Sequence, residues 1–309
     1  MIALAFLTLT LRIVVPFLLA AAGGVVSERA GVVALTLEGF MIAGAFGAAT
    51  GSYAFHSPWL GVVCGVLGGL ALALLLALAA VRFGADQVVA GIALNLLAAG
   101  AARFFLRFAF DSSSNSPRVP GFGAEVARSA PGAVVAGGAT AAGPSAGVLA
   151  VLTNPLVWVG LAVLPAVAWL LYRTPLGLRL RAVGEKPEAA ATLGVPVARV
   201  RWIAVALSGV LAGLAGAYLA LDQHQFTDGM TAGRGFIALA AVIFGRWDPR
   251  RVALACVLFA AAEAFQIQLQ GAQVVPSQFV EMIPYVLTII ALAGVVGRAA
   301  PPAALGKAA

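Results

Sequence analysis

The sequence predicts an all-α polytopic membrane protein with about 8–10 transmembrane helices, and three observations lead there. The chain is 62% hydrophobic and only 10% charged over 309 residues, with a mean hydropathy of +1.01. A water-soluble domain needs far more charge than this on its surface. Apolar runs of about 17–25 residues, enough for a helix to cross roughly 30 Å of hydrocarbon, recur from end to end. Basic residues collect in the short breaks between those runs, as topology signals do.

The spans read near 5–24, 34–55, 58–80, 86–109, 154–172, 200–221, 231–246, 250–269 and 279–297. Met1-Ile2-Ala3-Leu4-Ala5 lacks the basic region of a cleaved leader, so the first span is expected to remain in the chain. Ser27-Glu28-Arg29-Ala30-Gly31 is a short polar break, and Arg82-Phe83-Gly84-Ala85-Asp86 is another. His56-Ser57-Pro58 is a tight turn, with Pro58 suited to the first turn of the next helix. Residues 111–152, opening with Ser112-Ser113-Ser114-Asn115-Ser116-Pro117, are too polar and too rich in Gly, Ala and Pro for a packed core. They are expected to form an external loop. Cys64 and Cys256 fall within apolar runs and read as reduced packing residues.

The net charge of +7 does not point to nucleic acid, because the basic residues sit between spans. If the loop 173–201 faces the cytoplasm, alternation puts 13 of the 19 basic residues on that side: Arg29, Arg82, Arg173, Arg179, Arg181, Lys186, Arg199, Arg201, Arg246, Arg250, Arg251, Arg298 and Lys307. Arg12, Arg103, Arg107, Arg118, Arg128 and Arg234 remain outside. The N-terminus is then outside and the C-terminus inside.

Two stretches echo one another. Leu11-Arg12-Ile13 followed by Leu18 to Gly24 resembles Val200-Arg201-Trp202 followed by Val210 to Gly216. Glu38-Gly39-Phe40-Met41-Ile42 likewise echoes Arg234-Gly235-Phe236-Ile237-Ala238, and Pro58 then corresponds to Pro249. With opposite directions across the membrane, this is an inverted repeat, with repeat A about 5–109 and repeat B about 200–297, and a substrate path between the halves.

Enzymatic chemistry is nearly absent. His56 and His224, the only histidines, have no carboxylate or Cys neighbour suggesting a triad, and neither a phosphate-binding Gly-x4-Gly-Lys-Ser/Thr nor a His/Glu zinc spacing occurs. No cofactor or metal is implied. Gly61, Gly65 and Gly69, like Gly47/Gly51 and Gly209/Gly213, recur every fourth residue, a spacing read as close helix packing within the chain. Intramembrane polar groups are costly, which makes Glu38, Asn95, Arg234, Glu263, Gln266 and Gln268 informative. Glu38, Asn95, Glu263 and Gln266 are the candidates for a substrate path. For Asn95 and Glu263 a structural hydrogen bond to a neighbouring helix is the competing reading. The topology separates Glu38 from Arg234, each snorkelling to its own interface.

The basic loop 173–201 contains Pro187-Glu188-Ala189-Ala190-Ala191-Thr192-Leu193-Gly194. Pro and Glu suit a first helical turn, and Gly194 suits the left-handed position after the last. Such a helix is too short to stand alone in water and needs something to lie against.

Glu188-Ala189-Ala190-x3-Gly194 resembles the EAA loop of permease subunits in ATP-binding cassette importers. Leu37 to Met41, Gly177 to Glu185 and Ala232 to Ala240, running on to Trp247, look like the branched-chain amino acid/ribose-type permeases, and Ala303-Ala304-Leu305-Gly306-Lys307 looks like their simple-sugar and nucleoside branch. Thr36 departs from the pattern, since relatives usually carry an Asn-Ile segment there. The resemblance implies a coupling helix receiving force from a cytoplasmic ATP-binding cassette subunit, with Glu185, Pro187, Glu188, Ala189, Ala190 and Gly194 as coupling residues. It also implies a second permease subunit, as a heterodimer, and an extracytoplasmic binding lipoprotein in a bacterial inner membrane. An ion-driven secondary transporter with inverted repeats is the alternative, and a purely structural subunit is a third reading.

Overall fold

The computed structural model describes residues 2–112, 114–122, 134–136, 139–141, 151–272 and 300–307. Helices make up almost all of it: α1 (Ile2–Arg29), α2 (Leu37–Phe55), α3 (Pro58–Ala77, extended by a π-type turn over Leu78–Arg82), α4 (Gln87–Phe110), α5 (Pro155–Arg173), α6 (Pro175–Glu185), α7 (Pro187–Thr192), α8 (Val197–Asp222), α9 (Arg234–Phe244) and α10 (Pro249–Ala272). A small antiparallel pair, β1 (Val134–Ala136) and β2 (Ala139–Ala141), lies in the expected external loop.

Six of the described helices are long and apolar enough to cross a membrane: the stretches 6–29, 58–82, 87–110, 155–173, 197–222 and 249–270. The other two expected spans within reach differ. α2 begins only at Leu37, with Glu38 buried in its first turn. α9 has 11 residues, about 16 Å, half of what a crossing needs. The apolar run 231–246 reads as a span by composition, but turns over 223–233, with left-handed backbone at His224, Gly229, Ala232 and Gly233, postpone the helix to Arg234. The expected span 279–297 lies outside the described residues.

α1 and α8 form the buried centre, with 78% and 67% of their apolar windows inside the protein against 17% for α4. They are antiparallel: Arg12 meets Asp222 near one end, and Gly23 packs on the backbone of Ser208 further along. α2 and α3 complete the core against α8, and here glycine is required. A methyl group on Gly65 would lie 2.7 Å from the Gly44 carbonyl oxygen and 2.8 Å from the Ala217 side chain. The regular glycine spacing therefore serves packing within the chain, as the sequence indicates.

Within the loop 111–152, residues 114–122 are bonded to the body. Ser116 N–H donates to the Phe226 carbonyl (2.8 Å), Val119 N–H to the His224 carbonyl (2.8 Å) and Asp228 N–H to the Ser114 carbonyl (2.8 Å). Ser52 Oγ donates to the Pro120 carbonyl, anchoring the segment over the end of α2. Three of these four bonds join backbone to backbone, which a polar composition does not forbid.

Candidate functional site

Two regions collect the polar chemistry. The first lies where α2 and α9 begin. The two N-termini abut so closely that a methyl group on Gly235 would sit 2.6 Å from Glu38 Cα. From there α2 runs towards His56 and the segment 114–122, while α9 runs the opposite way towards Trp247 and Arg29. A helix start leaves N–H groups without partners in the helix, and its dipole favours negative charge. Glu38 supplies both needs for α9: Oε1 accepts from Thr231 Oγ1 (2.6 Å) and Gly233 N–H (3.0 Å), and Oε2 accepts from Gly235 N–H (2.7 Å). Asn95 on α4 does the same for α2, accepting from Gly39 N–H at Oδ1 (2.8 Å) and donating to the Leu35 carbonyl (2.9 Å).

The Glu38 and Arg234 side chains do not pair, in line with the sequence reading, but neither do they snorkel apart. Glu38 is buried against the 231–235 backbone, and Arg234 Nη2 donates to Glu263 Oε1 on α10 at 2.5 Å. The expected separation fails because the two helices start side by side rather than at opposite ends of the bundle. Arg234 Nε and Glu263 Oε2 are buried with no hydrogen-bond partner among the described residues, as is Thr36 Oγ1. Gln266 lies one turn beyond Glu263, half-buried.

Beside this pair is a cavity of about 270 Å³, lined by Arg12, Tyr218, Asp222, Arg234 and apolar neighbours including Ile267. Arg12 Nε donates to Asp222 Oδ2 (2.5 Å), and Tyr218 Oη donates to the Arg12 carbonyl (3.2 Å). Sequence reasoning missed Tyr218 and Asp222. Their i, i+4 spacing near the end of an apolar span, opposite an arginine early in another, was the available signal. Among the described residues no three His, Cys, Asp or Glu side chains converge as metal ligands.

The second region is the basic face. α7 matches the helix read from sequence, with Pro187 in its first turn and Gly194 left-handed (φ 78°) after its end. Ala190 is buried, while Glu188, Ala189 and Leu193 are exposed, Leu193 to 84%. Glu185, the last residue of α6, is exposed too. Thr174 caps α6 by accepting from Gly177 N–H (3.1 Å) while its hydroxyl donates to the Leu170 carbonyl (2.6 Å), which fixes the corner between α5 and α6.

The 300–307 segment ties this face together. Ala304 N–H donates to the Gly184 carbonyl (2.9 Å) and Gly306 N–H to the Gly31 carbonyl (3.3 Å). The Lys307 carbonyl accepts from Gln87 Nε2 and from Arg201 Nη1, each at 3.2 Å. The 30–34 turn is held from its other side by Glu28, which is buried and accepts from Trp247 Nε1 (2.5 Å) and Ala34 N–H (3.2 Å). The sequence assigned Glu28 to a polar break and Arg201 to a basic loop, and both are instead almost fully buried. Arg29, Arg201 and Lys307, three of the groups expected on one side, do take part in this network.

Residues 6–292 match the family described as "Branched-chain amino acid transport system / permease component". The chain belongs to this permease family. As such it is a multi-pass membrane permease component of a transport system, a kind of subunit that is not itself an enzyme and that generally implies ATPase and substrate-binding partners. The permease is 36% identical to a guanosine ABC transporter permease of Bacillus subtilis, over 96% of this chain and 93% of the relative. It is also 36% identical to a nucleoside ABC transporter permease of Lactococcus lactis, over 94% and 92% of the two chains. A putative glucose ABC transporter permease of Haloferax volcanii is 37% identical over 86% of the permease and 78% of the relative.

Proposed function

We propose that this permease imports nucleosides or simple sugars, driven by a cytoplasmic ATP-binding cassette subunit that docks on α6 and α7. The observation that carries this reading is the coupling face: an exposed short helix whose base is joined, through Gly184 and the 300–307 segment, to the Gly31 turn leading into Glu38. Force on α7 then has a hydrogen-bonded route to the point where α2 and α9 begin. The cassette must contact α7 differently in its two nucleotide states, since otherwise ATP could not bias the permease. Glu185, Pro187, Glu188, Ala189, Ala190 and Gly194 are the coupling residues in this reading.

The intramembrane region favours an uncharged, hydroxyl-bearing solute. Helix starts that bind anionic substrates need an open positive end, and here Glu38 already fills it. Arg234, which lines the 270 Å³ cavity, and its partner Glu263 retain one buried donor and one buried acceptor, groups that suit ribose or sugar hydroxyls. Glu38 and Asn95 hold the walls, while Glu263 and Gln266 line the path. The relatives named for guanosine, nucleosides and glucose support the same solute class.

The two halves work as inverted repeats, about 5–109 (α1–α4) against about 200–297 (α8–α10 among the described residues), moving about that meeting point. A second permease chain as heterodimer partner completes the path, and a binding lipoprotein delivers substrate outside. The basic face lies inside, by the charge bias of its loops, with the N-terminus outside and the C-terminus cytoplasmic in a bacterial inner membrane.

The test is uptake of radiolabelled guanosine and glucose by cells carrying Gly194→Pro or Glu188→Lys. Proline cannot adopt the left-handed backbone at position 194, so α7 loses its stop. The expected result is loss of uptake with normal membrane insertion and loss of ATPase subunit on co-purification. Full ATPase occupancy of either variant would refute docking at α7.

A further inference from the structure

A cleft of about 750 Å³ opens on the flank of the bundle between α5 and α10, at the basic face. Both helices end there: Arg173 is the last residue of α5, and Pro249 is the first of α10. Within the membrane-spanning part the wall is apolar, formed by Leu164, Ala168 and Ala253. Trp169 and Tyr172 follow towards the rim, both exposed, as aromatic side chains are where hydrocarbon meets water. At the rim stand the exposed Arg173 and Arg250, neither in an ion pair among the described residues. The carboxylate in the lining, Asp248, faces Arg251 at 3.9 Å, which offsets its charge. The Arg181 guanidinium stacks over the Tyr172 ring at 5.2 Å and adds a third positive group behind it.

We propose that this cleft is a binding site for an anionic phospholipid of the leaflet at the basic face. The phosphate sits against Arg173 and Arg250, Trp169 and Tyr172 flank the glycerol level, and an acyl chain runs along Leu164, Ala168 and Ala253. A soluble anion would use the two arginines but not the apolar floor beneath them. A neutral phospholipid would use the floor but gain nothing from the arginines. Basic clefts between membrane helices recognise anionic headgroups through this combination. The site borders α6 through Arg181, but neither α7 nor the α2/α9 junction contributes to its lining, so it does not depend on what the permease carries.

The test is native mass spectrometry of the full-length permease released from nanodiscs containing equal parts phosphatidylglycerol and phosphatidylcholine. Each arginine near a membrane surface contributes about fivefold in affinity, so two give roughly 25-fold enrichment of phosphatidylglycerol. Arg173→Gln/Arg250→Gln should bring the retained lipid close to equal proportions, while Arg173→Lys/Arg250→Lys should keep most of the preference. Elution as a single folded species from neutral nanodiscs checks that the glutamine variant is intact. Unchanged phosphatidylglycerol retention in that variant overturns the proposal. So does displacement of the bound lipid by inorganic phosphate alone, which would make the rim a phosphate site.

Discussion

Removing the Glu38 carboxylate tests whether the junction of α2 and α9 holds the protein together. Three donors converge on it: Thr231 Oγ1 at 2.6 Å, Gly233 N–H at 3.0 Å and Gly235 N–H at 2.7 Å. Hydrogen bonds to a charged group contribute about 1.5–3 kcal/mol each, but a buried carboxylate also pays a desolvation cost that truncation relieves. The net loss for Glu38→Ala is therefore well below the sum, at about 3–5 kcal/mol, the range for stripping one partner from a buried charged network. Glu38→Gln discriminates further. Its carbonyl oxygen can replace Oε1 and keep two of the donors, but its NH2 then faces Gly235 N–H, donor against donor. That single mismatch costs about 1–3 kcal/mol. The order of stability is wild type, then Gln, then Ala, with the two variants separated by about 2 kcal/mol. Equilibrium unfolding in mixed micelles measures it. A Glu38→Ala protein within about 0.5 kcal/mol of wild type, the scatter of an ordinary surface change, refutes the capping role.

Two further predictions follow from partners seen in the structure. Arg234→Ala and Glu263→Ala should each destabilise the protein, and their double-mutant cycle should give a coupling energy of about 1–3 kcal/mol, because each single variant leaves the other charge buried; a coupling near zero would mean the two do not sense one another. His224 lies in the turn after α8, near Asp222, Arg12 and Arg118, and burial, the largest influence, lowers its pKa below the usual imidazole value. The unfolded state then binds more protons than the folded one, so acidification below about pH 6.5 weakens the 114–122 contact that His224 anchors through its carbonyl. Hydrogen exchange at the Val119 amide should accelerate on acidification beyond the intrinsic pH effect, and His224→Asn, which tolerates the left-handed backbone there, should remove the excess.

What the sequence revealed was local. Pro58, Pro187 and Pro249 mark helix starts where ring geometry demands it, and Gly194 marks an end because the backbone there is left-handed. The four-residue glycine spacing indicated close helix packing, since few other residues allow it. What stayed hidden depends on partners remote in the chain. α9 starts late, after the 223–233 turns, at a point that Glu38, almost 200 residues earlier, caps. Asn95 could be read equally as path lining or as structural bond, and only its geometry against Gly39 and Leu35 shows which groups it holds. Glu28 sits beside Arg29 in a polar pentapeptide, with nothing local to indicate that Trp247 would bury it. The docking of residues 114–122 was invisible because most of its bonds join backbone groups remote in the chain, which side-chain composition could not foreshadow.

The bond from Gly306 to Gly31 also bears on how the protein is made. At a synthesis rate of roughly 5–20 residues per second, roughly 15–55 s separate the emergence of these two glycines. During that interval the first turn of the chain is in place without the segment that will pin it, and Arg201 enters its buried position before the Lys307 carbonyl exists to receive it. The 30–34 turn and Arg201 are thus made well before the segment that pins them, on the face proposed above to meet the energy-supplying partner. In that reading a chain without residues 300–307 would present an unpinned surface, and a partner that recognises only the pinned form would bind it less.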